Sequence, residues 1–195
     1  KFPFLFVQLA PFTYKAKETA LPEIWEAQTE TLKFPATGMA VTTDITTIKD
    51  IHPPNKQEVG RRLALWALAK TYGKPVMAYA SPTFDSLSID GAKARVSLKN
   101  ADGLKSLDGK PLTWFTIAGA DKKFVQAQAE IVNGKVIVSS PEVKKPIAVR
   151  FGWNQLAEPN LANGAGLPAS PFRTDNWSDA TMPAVPQPTP PPAKK

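Results

Sequence analysis

The hydrophobic period changes once along these 195 residues, at about residue 76, and that change limits the fold to two joined parts. Before it, residues 3–10 and 38–45 are nearly continuous apolar runs, as expected of strands buried on both faces of a parallel sheet. Residues 21–33 read as a helix, and a second helix starts at Asn55. There Asn55 and Glu58 match a capping box, Val59, Leu63, Trp66 and Lys70 mark one face, and Gly73 ends the run. Strand, helix, strand, helix is the order of an α/β layered domain. Two strands are too few to close such a sheet, so further strands are expected upstream.

After residue 76 the period becomes two. Residues 84–89 and 92–99 flank Asp90-Gly91, residues 124–132 and 135–140 flank Asn133-Gly134, and both dipeptides favour type I′ hairpins. Adding 112–118 and 146–151 gives about six antiparallel strands, enough for a small β-sandwich of the jelly-roll kind. Residues 154–179 return to loop chemistry, with Trp153, Phe172 and Trp177 as packing anchors. The organisation expected is an α/β part over 1–75, a β-sandwich over 76–152, a strap over 153–180 and a tail over 181–195. The last 13 residues hold six prolines, a composition that predicts a disordered or polyproline II segment.

Charge and residue usage exclude several functions. The formal charge is +7, but residues 1–75 carry 10 basic and 7 acidic side chains and the remainder 14 and 10, so the excess is spread along the chain. No Arg/Lys stripe with interleaved aromatics is present, and a nucleic-acid partner is not expected. There is no cysteine and only one histidine, which leaves no disulfide framework, no thiolate nucleophile and no metal centre built on these ligands. No cofactor is implied. No apolar run approaches the roughly 18 residues of a membrane span. The opening ten residues look briefly like a signal core, but Pro3 and Gln8 interrupt it and no charged region precedes it.

The single histidine, His52, lies in Lys-Asp-Ile-His-Pro-Pro-Asn at 49–55. In open parallel sheets ligands bind outside the carboxyl ends of the strands, where Thr43, Asp44 and the loop to His52 must lie. A turn residue, a core imidazole and a catalytic base all remain open on these grounds. Arg61 and Arg62 read as a solvated helix face, Gln28 as a helix-surface residue and Trp66 as core. Trp153, Arg173 and Asp175 read as supports of the junction between the parts.

Five blocks together resemble bacterial sialate O-acetylesterase-like carbohydrate esterases of the GDSL/SGNH hydrolase superfamily. They are Phe-Val-Gln-Leu-Ala-Pro-Phe at 6–12, Glu-Ala-Gln at 26–28, Thr-Gly-Met-Ala-Val-Thr-Thr-Asp-Ile at 37–45, the stretch from Asp50 to Ala64, and Gly-Leu-Pro-Ala-Ser-Pro-Phe-Arg-Thr-Asp at 166–175. The resemblance implies the C-terminal part of a flavodoxin-like SGNH catalytic domain followed by a β-rich domain. It also implies secretion or a periplasmic address, a part in glycan degradation and an acetylated carbohydrate as substrate.

The family's late block carries the catalytic histidine and matches His52. Its early serine block is absent, because none of the nine serines has that context. The resemblance therefore implies that the nucleophile comes from an N-terminal portion or a partner chain of the same enzyme, and that this chain alone is inactive. The superfamily usually sets the acid three positions before the histidine, but Lys49 stands there, so Asp50 is the first candidate and Asp44 the second. The competing expectation is a noncatalytic carbohydrate-binding or interaction module built on the sandwich.

Overall fold

The structure is a computed structural model, and it describes residues 2–178 together with Ala180 and Met182. The Pro-rich tail expected over 181–195 lies, Met182 apart, outside the described residues. Phe4–Val7 (β1) and Thr37–Ala40 (β2) pair in parallel, Phe4 opposite Thr37 and Val7 opposite Ala40. The crossover between them carries Ala20–Glu30 (α1), whose last residues tighten into a 3₁₀ turn at Thr31–Lys33. Helix α1 buries Leu21, Pro22 and Trp25; Pro22 is tolerated because it falls in the first turn, where its missing N–H has no helical partner to lose.

Lys56–Trp66 (α2) follows the histidine loop. Asn55 caps it as its sequence predicts, its side-chain oxygen accepting the Glu58 N–H at 3.0 Å. The reciprocal half of the box is replaced, because the Glu58 carboxylate turns to Arg61 and Arg62 instead. The helix then widens into a π turn at Ala67–Thr71, and Gly73, at φ +61°, terminates the run. Trp66 is buried as expected and donates its indole N–H to the Met39 carbonyl at 2.9 Å.

That packing depends on Gly38. A Cβ at Gly38 would lie 2.6 Å from the Trp66 ring and 2.8 Å from the Leu5 side chain, closer than any Cβ contact permits. Gly38→Ala is therefore expected to overpack this layer and cost about 1–3 kcal/mol, read as a lower midpoint in urea with an unchanged slope.

Beyond residue 80 the chain forms antiparallel strands at Thr83–Asp90 (β3), Lys93–Lys99 (β4), Lys105–Ser106 (β5), Phe115–Ala118 (β6), Val125–Gln126 (β7), Gln128–Val132 (β8), Lys135–Ser139 (β9), Ala148–Phe151 (β10), Leu161–Ala162 (β11) and Phe172–Arg173 (β12). They make two four-stranded sheets, ordered β3-β4-β9-β8 and β12-β10-β6-β7, and the short pair β11-β5. Both large sheets feed one core: Ala94, Val96, Val136 and Val138 come from the first, and Phe115, Ile117, Val149 and Phe151 from the second.

The Asn133-Gly134 hairpin has both residues at positive φ, 50° and 71°, as a type I′ turn requires. The other hairpin sits one residue later than its Asp-Gly pair suggests. Asp90 pairs with Lys93, so Gly91 and Ala92 form the loop; only Gly91 has positive φ, which is the II′ pattern. The segment after Trp153 is more than a strap, since it supplies β11 and adds β12 to the edge of β10. It also ties the two parts together. Gln155 accepts the Phe12 N–H on its carbonyl at 3.1 Å and the Tyr14 N–H on its side chain at 3.0 Å, and the Gln8 amide donates to Ser170 at 3.0 Å.

Candidate active site

The chain leaves β2 at Ala40 and stays buried through Thr43 before turning outward at Asp44. The next twelve residues are pinned from several sides. Thr42 Oγ1 donates to the Gln8 carbonyl at 3.1 Å and Thr46 Oγ1 to the Pro11 carbonyl at 3.2 Å, tying the loop to the segment that follows β1. Asp50 N–H closes a tight turn on the Thr47 carbonyl at 2.9 Å, and the buried Pro53 leads into the Asn55 cap. Proline at 53 and 54 restricts the backbone on the far side of His52.

This turn brings Asp50 against His52. One carboxylate oxygen, Oδ1, accepts the His52 backbone N–H at 2.9 Å and stands 3.0 Å from Nδ1. The backbone N–H, and after it the imidazole, hold the Asp50 carboxyl below its usual range. With an ionised carboxylate facing it, Nδ1 carries the hydrogen, so Nε2 is left as the basic nitrogen. Both side chains are largely exposed, His52 at 78% and Asp50 at 62%. Among the described residues Nε2 has no partner, and no serine hydroxyl reaches the ring.

Asp44 is engaged elsewhere. Its two oxygens take a fork from Arg62 at 2.6 Å each, and Arg62 further donates to Glu58 at 2.8 Å and to the Val41 carbonyl at 2.6 Å. Arg62 is 3% exposed, so its reading as a solvated face is corrected: the guanidinium is the buried clamp that joins the end of β2 to α2. Arg61 remains at the surface and grips Glu58 from outside at 2.6 and 2.7 Å. The Arg61 contact, and after it the Arg62 contact, pull Glu58 down to about 2 although burial opposes them.

Gln28 is also placed differently from a free helix-surface side chain. Its Oε1 accepts the Leu9 N–H at 3.1 Å and its Nε2 donates to the Val7 carbonyl at 3.5 Å, while the Trp25 indole takes the Leu9 carbonyl at 2.6 Å. Helix α1 thus satisfies the outward backbone groups at the carboxyl end of β1. Farther back that strand is open, with Phe2 and Phe4 exposed at 87% and 59%.

Among the described residues no group of three or more His, Cys, Asp or Glu side chains is placed to hold a metal ion. No helix among them is long and apolar enough to cross a membrane.

The chain is similar to a solved carbohydrate acetylesterase. That protein is described as a novel carbohydrate acetylesterase from Xanthomonas citri; the identity is 43% and the TM-score 0.85. The similarity covers 90% of this chain and 41% of the Xanthomonas chain, so this chain spans less than half the length of the protein it matches. No family model and no curated protein matches the chain.

Proposed function

We propose that this chain supplies the histidine–aspartate half of a carbohydrate O-acetylesterase acting on acetylated glycans of the sialate or hemicellulose type. What carries the reading is the His52–Asp50 contact of 3.0 Å beyond a parallel strand pair, in a chain 43% identical to a carbohydrate acetylesterase. The α/β part then belongs to a flavodoxin-like SGNH sheet. The open side of β1, with its exposed phenylalanines, is the edge on which the serine-bearing segment adds its strands.

In the proposed reaction His52 Nε2 accepts the proton of that segment's serine as the hydroxyl oxygen attacks the acetyl carbonyl. The imidazolium returns the proton to the sugar oxygen as the C–O bond breaks, leaving an acetyl-serine. Water attacks the acetyl-serine with the same imidazole as base, and acetate leaves. Asp50 fixes the tautomer and stabilises the imidazolium in both steps. Asp44 is the weaker candidate for this role because Arg62 occupies both of its oxygens. All nine serines of this chain lie at position 81 or later, outside the α/β part, so the isolated chain is expected to be inactive.

The two aspartates separate by experiment. In the enzyme that carries the serine block, Asp50→Asn should lower kcat on an acetylated oligosaccharide by on the order of 10²–10⁴ without moving Tm, because the wrong tautomer is held at an exposed site. Asp44→Asn should lower Tm. If Asp50→Asn keeps full activity, Asp50 is not the acid.

A further inference from the structure

The first turns of α1 face β12 and the segment after it across a cleft of about 440 Å³, a size suited to one or two sugar rings. Among the described residues, every charged side chain lining it is paired. Lys17 meets Glu23 at 3.3 Å, Arg173 grips Glu26 through two contacts of 2.9 and 2.7 Å, and Arg150 is locked by the buried Asp175 at 2.6 and 2.9 Å. These paired side chains offer hydrogen-bond donors and acceptors whose charges balance, which suits a polyhydroxylated neutral ligand; Lys122 Nζ lies beside them, 5.9 Å from the Trp177 ring centroid.

Aromatic rings complete it. Trp153 is buried behind the fork, with the Arg173 and Arg150 guanidinium carbons 5.0 and 5.7 Å from its ring centroid, so the fork is held in one orientation. Trp177 lines the cleft half-exposed, set against Phe124 at 6.0 Å between centroids. A flat, partly wet indole beside a rigid carboxylate–guanidinium fork matches a pyranose ring, whose C–H face is apolar and whose rim is a ring of hydroxyls.

We propose that this cleft is a subsite for a neutral glycan unit, with Trp177 under the sugar ring and the Glu26–Arg173 fork on its hydroxyls. It lies along the amino-terminal half of α1. That helix follows the carboxyl end of β1. The inference rests on the acetylesterase reading for its role and sharpens it: the substrate is an oligosaccharide or polymer gripped at more than one unit, rather than a free acetylated monosaccharide.

Binding needs neither serine nor ester, so the test is calorimetric titration of this chain with unacetylated xylohexaose, cellohexaose and mannohexaose, and with hexagalacturonate as an anionic control. At least one neutral hexasaccharide should bind saturably, more tightly than hexagalacturonate, and Trp177→Ala should weaken it about tenfold or more. Glu26→Gln reads the same site from the opposite wall, should also weaken binding, and serves if Trp177→Ala does not fold. No binding of any neutral hexasaccharide, binding indifferent to both substitutions, or equal binding of hexagalacturonate would overturn the subsite. If the subsite fails while the serine-bearing enzyme still hydrolyses acetylated glycans, the acetylesterase reading stands. If substitution-sensitive binding is found and that enzyme hydrolyses no acetyl ester, the subsite stands and the esterase reading falls.

Discussion

His52→Ala, made in the enzyme that carries the serine block, should reduce kcat/KM for acetyl-ester hydrolysis by on the order of 10⁴–10⁶ while leaving Tm within about a degree of the parent. The size follows from the role. Without an imidazole the serine hydroxyl keeps its proton near neutral pH, and the departing sugar oxygen has no acid to protonate it. The silence in stability follows from the setting, since the side chain is 78% exposed and, among the described residues, its hydrogen bonds are to Asp50 alone. Acetate release and thermal melting of the same preparation check both halves. A His52→Ala enzyme that still hydrolyses at a tenth of the parent rate or better would remove His52 from the mechanism.

Arg62→Ala should do the opposite, wrecking stability first. Arg62 and Asp44 are 4% and 13% exposed in their side chains, and removing the guanidinium would strand the Asp44 carboxylate, the inner side of Glu58 and the Val41 carbonyl together. Breaking a buried pair from one side costs about 3–5 kcal/mol, which for a chain of this size lowers Tm by on the order of 10 °C. Arg62→Lys should recover little, because an ammonium cannot give Asp44 two parallel hydrogen bonds while also reaching Glu58 and Val41. The clamp carries an acid sensitivity as well. Glu58 is drawn down to about 2 from its ordinary 4.5, so its contribution is fully present above pH 4.5 and is lost as pH falls toward 2. Urea melts across pH 7 to 3 compare the parent with Arg62→Ala; equal midpoints at pH 7 would contradict the clamp.

Local chemistry made part of this fold legible. Asn55 announced a helix start, Asn133-Gly134 a type I′ hairpin, and the apolar runs before and after α1 two strands of one parallel sheet, because each of these depends on a few adjacent residues. The Asp90-Gly91 turn slipped by one position because Gly at the first loop position also satisfies II′, and the choice belongs to strand pairing rather than to the dipeptide. β11 and β12 were unreadable for a simpler reason: two residues carry no period.

At the site, the adjacency of Asp50 and His52 was readable, but two aspartates remained open. What separates them is Arg62, eighteen positions from Asp44, and that contact exists only once α2 is packed against β2. Arg62 itself looked like one of two surface arginines. Its burial follows from lying on the inward face of α2 with Trp66, one helical turn on, whereas Arg61 lies on the outward face. Gln28 hid in the same way, since nothing in Glu-Ala-Gln says that its amide will cap the end of a strand nineteen residues earlier.

In the proposed mechanism His52 serves a serine supplied from outside this chain. Mass spectrometry of the intact, acid-quenched enzyme during turnover of an acetylated oligosaccharide tests it directly. One added acetyl group is expected, mapped to a serine of the upstream segment or partner, present in the parent and absent in His52→Ala. An acetyl group on any of this chain's own nine serines, or ester hydrolysis by this chain alone, would contradict it.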